Sequence, residues 1–205
     1  MAQAARRTQS ERRHASEQAL LAAAIEIIAT RGVGSLTFEA LAETGGFSRG
    51  LVSARFGNKA RLIEAVLNTL HERHEATFRH EEVVGKDGLD AILSYVELAL
   101  ADMATRKEAR AYYALLSSSL AEVGDSRSFF AATHETVRQR LEDWVRAGQE
   151  SGTIRTAIDP ASAAMMIGCM MFGSAMQYLV DASVNFDALR RSSLATLRSS
   201  LGSSV

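Results

Sequence analysis

The chain has 205 residues, of which 47% are apolar and 23% charged, with a formal net charge of -1. That is enough for one large domain or two small ones with a sizeable core, and it excludes a uniformly basic polyanion binder. A lone cysteine, Cys169, excludes an intramolecular disulfide and suits a reducing cytoplasm. The charge is unevenly spread: residues 1–70 carry nine Lys/Arg against six Asp/Glu, and residues 71–205 carry fourteen against eighteen. A polyanionic partner is therefore expected at the N-terminal third. Pro160 is the single proline, and alanine, leucine, glutamate and arginine abound, which predicts an all-α fold.

Residues 1–15 are polar, with Arg6, Arg7, Arg12 and Arg13, and read as a basic arm rather than a secretory signal. Leu21, Ala24, Ile25 and Ile28 share one face of a helix predicted over 16–31, which Gly32 stops. Thr37 is placed to cap a second helix through "FEALAET", and Gly45–Gly46 end it. Ser48 caps a short third helix over 48–55, and Asn58 a fourth carrying the stripe Leu62, Ile63, Val66, Leu67 and Leu70. The pattern lapses in "RHEEVVGKDG", the expected seam between two functional halves. Helical periodicity resumes from Leu89, with further helices expected at 106–123, 127–151, 160–181 and 186–199. Asp159–Pro160 is a helix-start signal, Asp as cap and Pro in the first turn. The uncharged stretch 161–180 has the length of a membrane span. It is diluted by Ser162, Gly168, Gly173, Ser174 and Gln177 and flanked by aspartates, so it reads as a helix buried on all sides, with Cys169 an inert buried thiol.

A helix-turn-helix needs a small residue where two helices cross, a turn residue tolerant of positive φ, and apolar side chains filling the wedge between them. Ala42, Gly46 and the set Leu41, Phe47 and Val52 meet those demands at the right spacing. The expected partner is double-stranded DNA. Thr37, Ser48 and Lys59 are candidates for phosphate contact near helix N-termini. Arg49, Gly50, Leu51 and Ser53 are candidates for the groove-facing surface, with Gly50 letting the backbone come close, and Arg55 is a further DNA-binding candidate whose guanidinium suits phosphates and guanine edges alike.

Residues 16–70 resemble the N-terminal domain of the tetracycline-repressor (TetR) family. The likeness runs through the exit at Arg31–Gly32, then "LTFEALAETGGFSRG", then "FGNKARLIEAVL", with Phe56, Lys59 and Leu62 at the family's Phe, Lys and Leu. Two positions depart from it: Ser53 stands where a tyrosine is common, and Arg55 where a histidine often precedes the Phe. The resemblance implies a helix-turn-helix domain over 16–60 and a connecting helix with a ligand-binding and dimerisation domain over 61–205. It further implies a homodimer joined through the last two helices of each subunit, a palindromic operator and a small-molecule effector.

The rear half supplies candidates for that effector's site. "AAMMIGCMMFGSAMQYLV" is rich in methionine, an adaptable side chain suited to varied apolar ligands. Met170 and the polar-tipped Tyr95, Tyr112, Tyr113, His134, Trp144 and Gln177 are the candidate ligand contacts. His71, His74 and Glu75 could share a helix face, but "HERHE" lacks the zinc-protease spacing, so a solvated helix end and no metal site are expected. No Gly-rich phosphate loop, nucleophile elbow or paired catalytic carboxylates stand out, so neither catalysis nor a cofactor is expected. The reading is a ligand-responsive transcriptional regulator, most often a repressor in the resembling family. The alternative is a helical enzyme or scaffold whose helix-turn-helix is incidental.

Overall fold

The computed structural model describes residues 8–79, 83–121 and 125–203. Its helices are α1 (Gln9–Arg31), α2 (Phe38–Gly45), α3 (Arg49–Phe56), α4 (Lys59–Phe78), α5 (Gly88–Thr105), α6 (Lys107–Ala121), α7 (Asp125–Glu150), α8 (Pro160–Val180) and α9 (Phe186–Leu201). The fold is all-α, as the composition predicts.

Most helix starts follow from side chains that satisfy otherwise orphaned backbone N–H groups. Thr37 Oγ1 accepts from Ala40 N at 3.1 Å, Ser48 Oγ from Leu51 N at 3.2 Å and Asn58 Oδ1 from Arg61 N at 2.9 Å. Asp159 Oδ2 accepts from Ser162 N at 2.9 Å with Pro160 in the first turn. α1 departs from expectation by starting at Gln9 rather than residue 16. The cause is a capping box: Glu11 N donates to Thr8 Oγ1 at 3.2 Å, and Thr8 N donates to Glu11 Oε2 at 2.7 Å. Arg12 and Arg13 therefore lie in the first turns of α1 rather than on an arm before it, while Arg6 and Arg7 lie outside the described residues.

Two hydrophobic interiors result. The first joins α1, α2, α3 and α4 (Leu20, Ile25, Leu41, Val52, Phe56, Leu62, Val66) with Ala111, Leu115 and Leu116 of α6 and Phe130 of α7. The second joins α5, α7, α8 and α9 around Ile92, Val96, Leu100, Val145, Ile167 and Leu197. The N-terminal head is thus not an independent bead: α6 closes its core from the body side. At the surface of that seam, Lys107 Nζ lies 2.8 Å from Glu26 Oε2, and this hydrogen-bonded pairing holds the Glu26 carboxyl below its ordinary pKa. Arg73 of α4 and Glu108 of α6 pair beside it.

α8 is the one described helix long and apolar enough to cross a membrane by length and composition. Ala163, Ala164, Ile167, Met171 and Ala175 pack it into the second interior. Its opposite face is open: Met165 is 56% exposed and Met166 47%. The expectation of burial on all sides is therefore corrected, because a single chain supplies neighbours for one face only. Cys169, one turn on from Met165, is exposed rather than buried for the same reason.

Glycine is required at the crossing of α5 and α7. A Cβ on Gly88, at φ +57°, would lie 2.7 Å from the Cα of Gly148 and 2.8 Å from Thr153 Oγ1. Gly46 ends α2 in the left-handed region at φ +69°, but a Cβ there meets open space. Gly88→Ala should therefore cost about 2–4 kcal/mol, through backbone strain plus a clash against backbone. Gly46→Ala should cost only about 1 kcal/mol. Denaturant unfolding of the two variants checks the order, and equal losses would contradict this account of the crossing.

Candidate functional site

The head presents one polar face built from the start of α2, all of α3 and the start of α4. Leu41, Ala42, Val52 and Phe56 are buried beneath it, which fixes α3 against α1, α2 and α4. Thr37, Ser48, Arg49, Gly50, Leu51, Ser53 and Lys59 are all exposed on it. Thr37 and Ser48 use an oxygen lone pair for capping, so each hydroxyl proton remains free to donate to an anion. Arg49 Nε lies 2.9 Å from Glu39 Oε1, with both side chains largely in solvent. Such a screened pair contributes little, and releasing Arg49 to another acceptor costs correspondingly little. Lys59 Nζ reaches the Val33 carbonyl at 3.5 Å, at the limit of a hydrogen bond.

Arg55 does not join this face. Its side chain is 12% exposed, and its guanidinium lies 3.0 Å from Glu17 Oε2 and donates to the Arg13 carbonyl at 3.3 Å. It is committed to holding α3 on α1. The separation of 38 residues between Arg55 and Glu17 hides that pairing from any local reading.

The body contains a cavity of about 480 Å³ between α4, α5, α6, α7 and α8. Of the sequence candidates, Tyr95, Tyr112, Tyr113 and His134 line it. Trp144 sits behind the wall, its ring centroid 5.9 Å from that of Tyr95. Met170 packs on the second interior, and Gln177 is on the open face of α8. Leu120 and Met165 line the cavity yet are each 56% exposed, which marks its rim.

A residue not expected here, His74, enters the wall from α4. Its ring is parallel to Tyr112 at 6.0 Å, and its Nε2 is 3.2 Å from Tyr95 Oη, in hydrogen-bond contact. The expectation of a solvated helix end is corrected. The available signal was spacing, since His74 continues the buried stripe Leu67–Leu70 by four residues. Burial holds His74 down to about 4 and pushes His134 below the ordinary histidine value. It likewise raises Tyr95 and Tyr112 and brings Tyr113 up to about 12. At neutral pH these groups stand uncharged around the cavity.

The family model "Bacterial regulatory proteins, tetR family" matches residues 20–66, the span from α1 into α4. The HTH-type transcriptional regulator TtgR of Pseudomonas putida is 30% identical over 159 residues, covering 73% of this chain and 74% of that protein. The chain belongs to the TetR family of transcriptional regulators. Its fold matches solved members: a TetR transcriptional regulator from Chloroflexus aurantiacus superposes with TM-score 0.81 at 15% identity, covering 93% of this chain and 98% of that one. A complex of SmeT with triclosan superposes with TM-score 0.75 at 18% identity, covering 92% of each chain.

For this TetR-family chain, His74 gives a pH test. Its folded-state value lies below the ordinary 6.5, so its stability contribution is complete above pH 6.5. That contribution is lost as pH falls towards about 4, because the unfolded chain binds a proton that the buried ring refuses. The parent should lose roughly 3 kcal/mol more than His74→Phe over that window, measured by urea unfolding. Parallel pH profiles would contradict the buried, neutral histidine.

Proposed function

We propose that this TetR-family regulator is a cytoplasmic repressor: a homodimer that grips a palindromic operator and is released when a small apolar or amphipathic effector fills the cavity. The observation that carries the reading is the 480 Å³ cavity whose α6 wall also closes the core of the DNA-binding head. The SmeT complex adds support, because that protein is described as the repressor of a multidrug efflux pump in Stenotrophomonas maltophilia and was solved with triclosan bound.

In this reading α3 lies in the major groove with Arg49, Gly50, Leu51 and Ser53 towards base edges. Thr37, Ser48 and Lys59 hold flanking phosphates. Arg55 acts indirectly, by fixing the angle of α3 through Glu17. Lys59→Ala should weaken binding to every sequence alike and lower the salt slope by about one. Arg49→Ala should relax base preference by about 1–3 kcal/mol at one position. Fluorescence anisotropy against operator and random duplexes separates the two effects. An Arg49→Ala chain that discriminates as the parent does would remove Arg49 from the reading surface.

The second copy is assigned to the open face of α8, where Met166, Cys169, Gly173 and Gln177 are exposed. A two-fold pairing there presents the two heads to the same groove face of a palindrome. Gly173 has open space around it, so Gly173→Arg leaves the single chain undisturbed while burying an unpaired charge between two copies. Sedimentation should show a dimeric parent and a folded, monomeric Gly173→Arg chain. A monomeric parent at micromolar concentration would sink the pairing.

A further inference from the structure

The ionised side chains among the described residues that line the cavity, Glu135 and Arg138, are paired with each other. Arg138 on its wall is bracketed on α7 by Glu135 at 2.5 Å and Glu142 at 3.3 Å, and Arg146 in turn pairs with Glu142. Glu75 of α4 is not among the lining residues; its Oε2 is 3.4 Å from Arg140, while its Oε1 is buried without a hydrogen-bond partner. Among the described residues that line the cavity, each ionised side chain therefore has an opposite charge beside it.

Beside that ion pair the lining is aliphatic or aromatic and neutral. Tyr112 meets Tyr113 edge-on at 5.4 Å, and Tyr113 meets Phe172 at 6.3 Å, so ring faces and ring edges both border the space. An aromatic guest can extend this edge-to-face pattern. The phenols of Tyr112 and Tyr113 and the ring of His134 supply donors and acceptors for a hydroxyl or carbonyl group. Burial keeps His74 and His134 uncharged at neutral pH, so neither offers a counter-ion. A carboxylate or ammonium would give up hydration and find only opposite charges that are already paired, with ring faces as an ammonium's partial compensation.

Resting on the effector reading above, we propose that the cavity selects uncharged aromatic molecules of about 13–20 non-hydrogen atoms that bear a hydroxyl or carbonyl group. It discriminates against acids and amines of the same shape. Charge complementarity, rather than shape, sets the ligand class.

Three probes of one outline isolate charge: 4-phenylphenol, biphenyl-4-carboxylate and 4-(aminomethyl)biphenyl, titrated calorimetrically at pH 7.5 into the full chain. 4-Phenylphenol should bind at least tenfold more tightly than either charged analogue. Leu120→Glu adds a carboxylate at the exposed rim. It should strengthen the amine at least threefold and weaken the carboxylate, while Leu120→Gln keeps the parent order. A charged analogue within threefold of 4-phenylphenol on the parent overturns the charge selectivity. If that analogue also releases operator, the repressor reading stands and only this inference falls. Failure of all three probes to bind at millimolar concentration overturns both.

Discussion

The side chains of Ala111 and Leu115 are buried in the same interior as α1, while Tyr112 and Tyr113, their neighbours on α6, wall the cavity. One helix therefore belongs to the head and to the cavity wall at once. Packed interiors cannot absorb a displacement gradually, because side chains interdigitate at crystal-like density. On the proposed function, a guest that moves Tyr112 or Tyr113 acts on α6 and meets α1 on its other side. The Lys107–Glu26 and Arg73–Glu108 pairs fasten the same helix to α1 and α4.

The DNA end of this path is equally fixed. Val52 and Phe56 bury α3, and the Arg55–Glu17 pair holds it to α1. α1 is consequently the common support of α6 and α3, so a change in its position re-aims the exposed surface of α3 as a unit. His74 offers a second route, since it stands in the cavity wall on the helix that begins with Lys59. Two helices, α1 and α4, thus connect one compartment to one polar face.

The head was legible because its signals are local. Thr37, Ser48 and Asn58 cap helices within three residues of themselves, and Gly46 ends α2 in the backbone conformation its position demands. The start of α1 was equally local but lay in a run of arginines that reads as an arm, which masked the Thr8–Glu11 capping box. The cavity was legible only in part. Tyrosines on α5 and α6 and a histidine on α7 were found by chemistry, since polar-tipped aromatics suit a pocket wall. Which of them face inward depends on helix rotation and packing. That is why Trp144 ended behind Tyr95, Gln177 on the open face of α8, and His74 inside. The pairing of Arg55 was hidden for the same reason: its partner Glu17 is remote in sequence.

On the proposed function, occupancy of the cavity and grip on DNA are thermodynamically coupled. The direct measurement is the operator affinity of the full chain with and without saturating 4-phenylphenol, read by anisotropy at fixed salt. Operator affinity should fall about 5- to 150-fold, mirrored by an equal loss in 4-phenylphenol affinity when operator is bound. Bound 4-phenylphenol with unchanged operator affinity would contradict it.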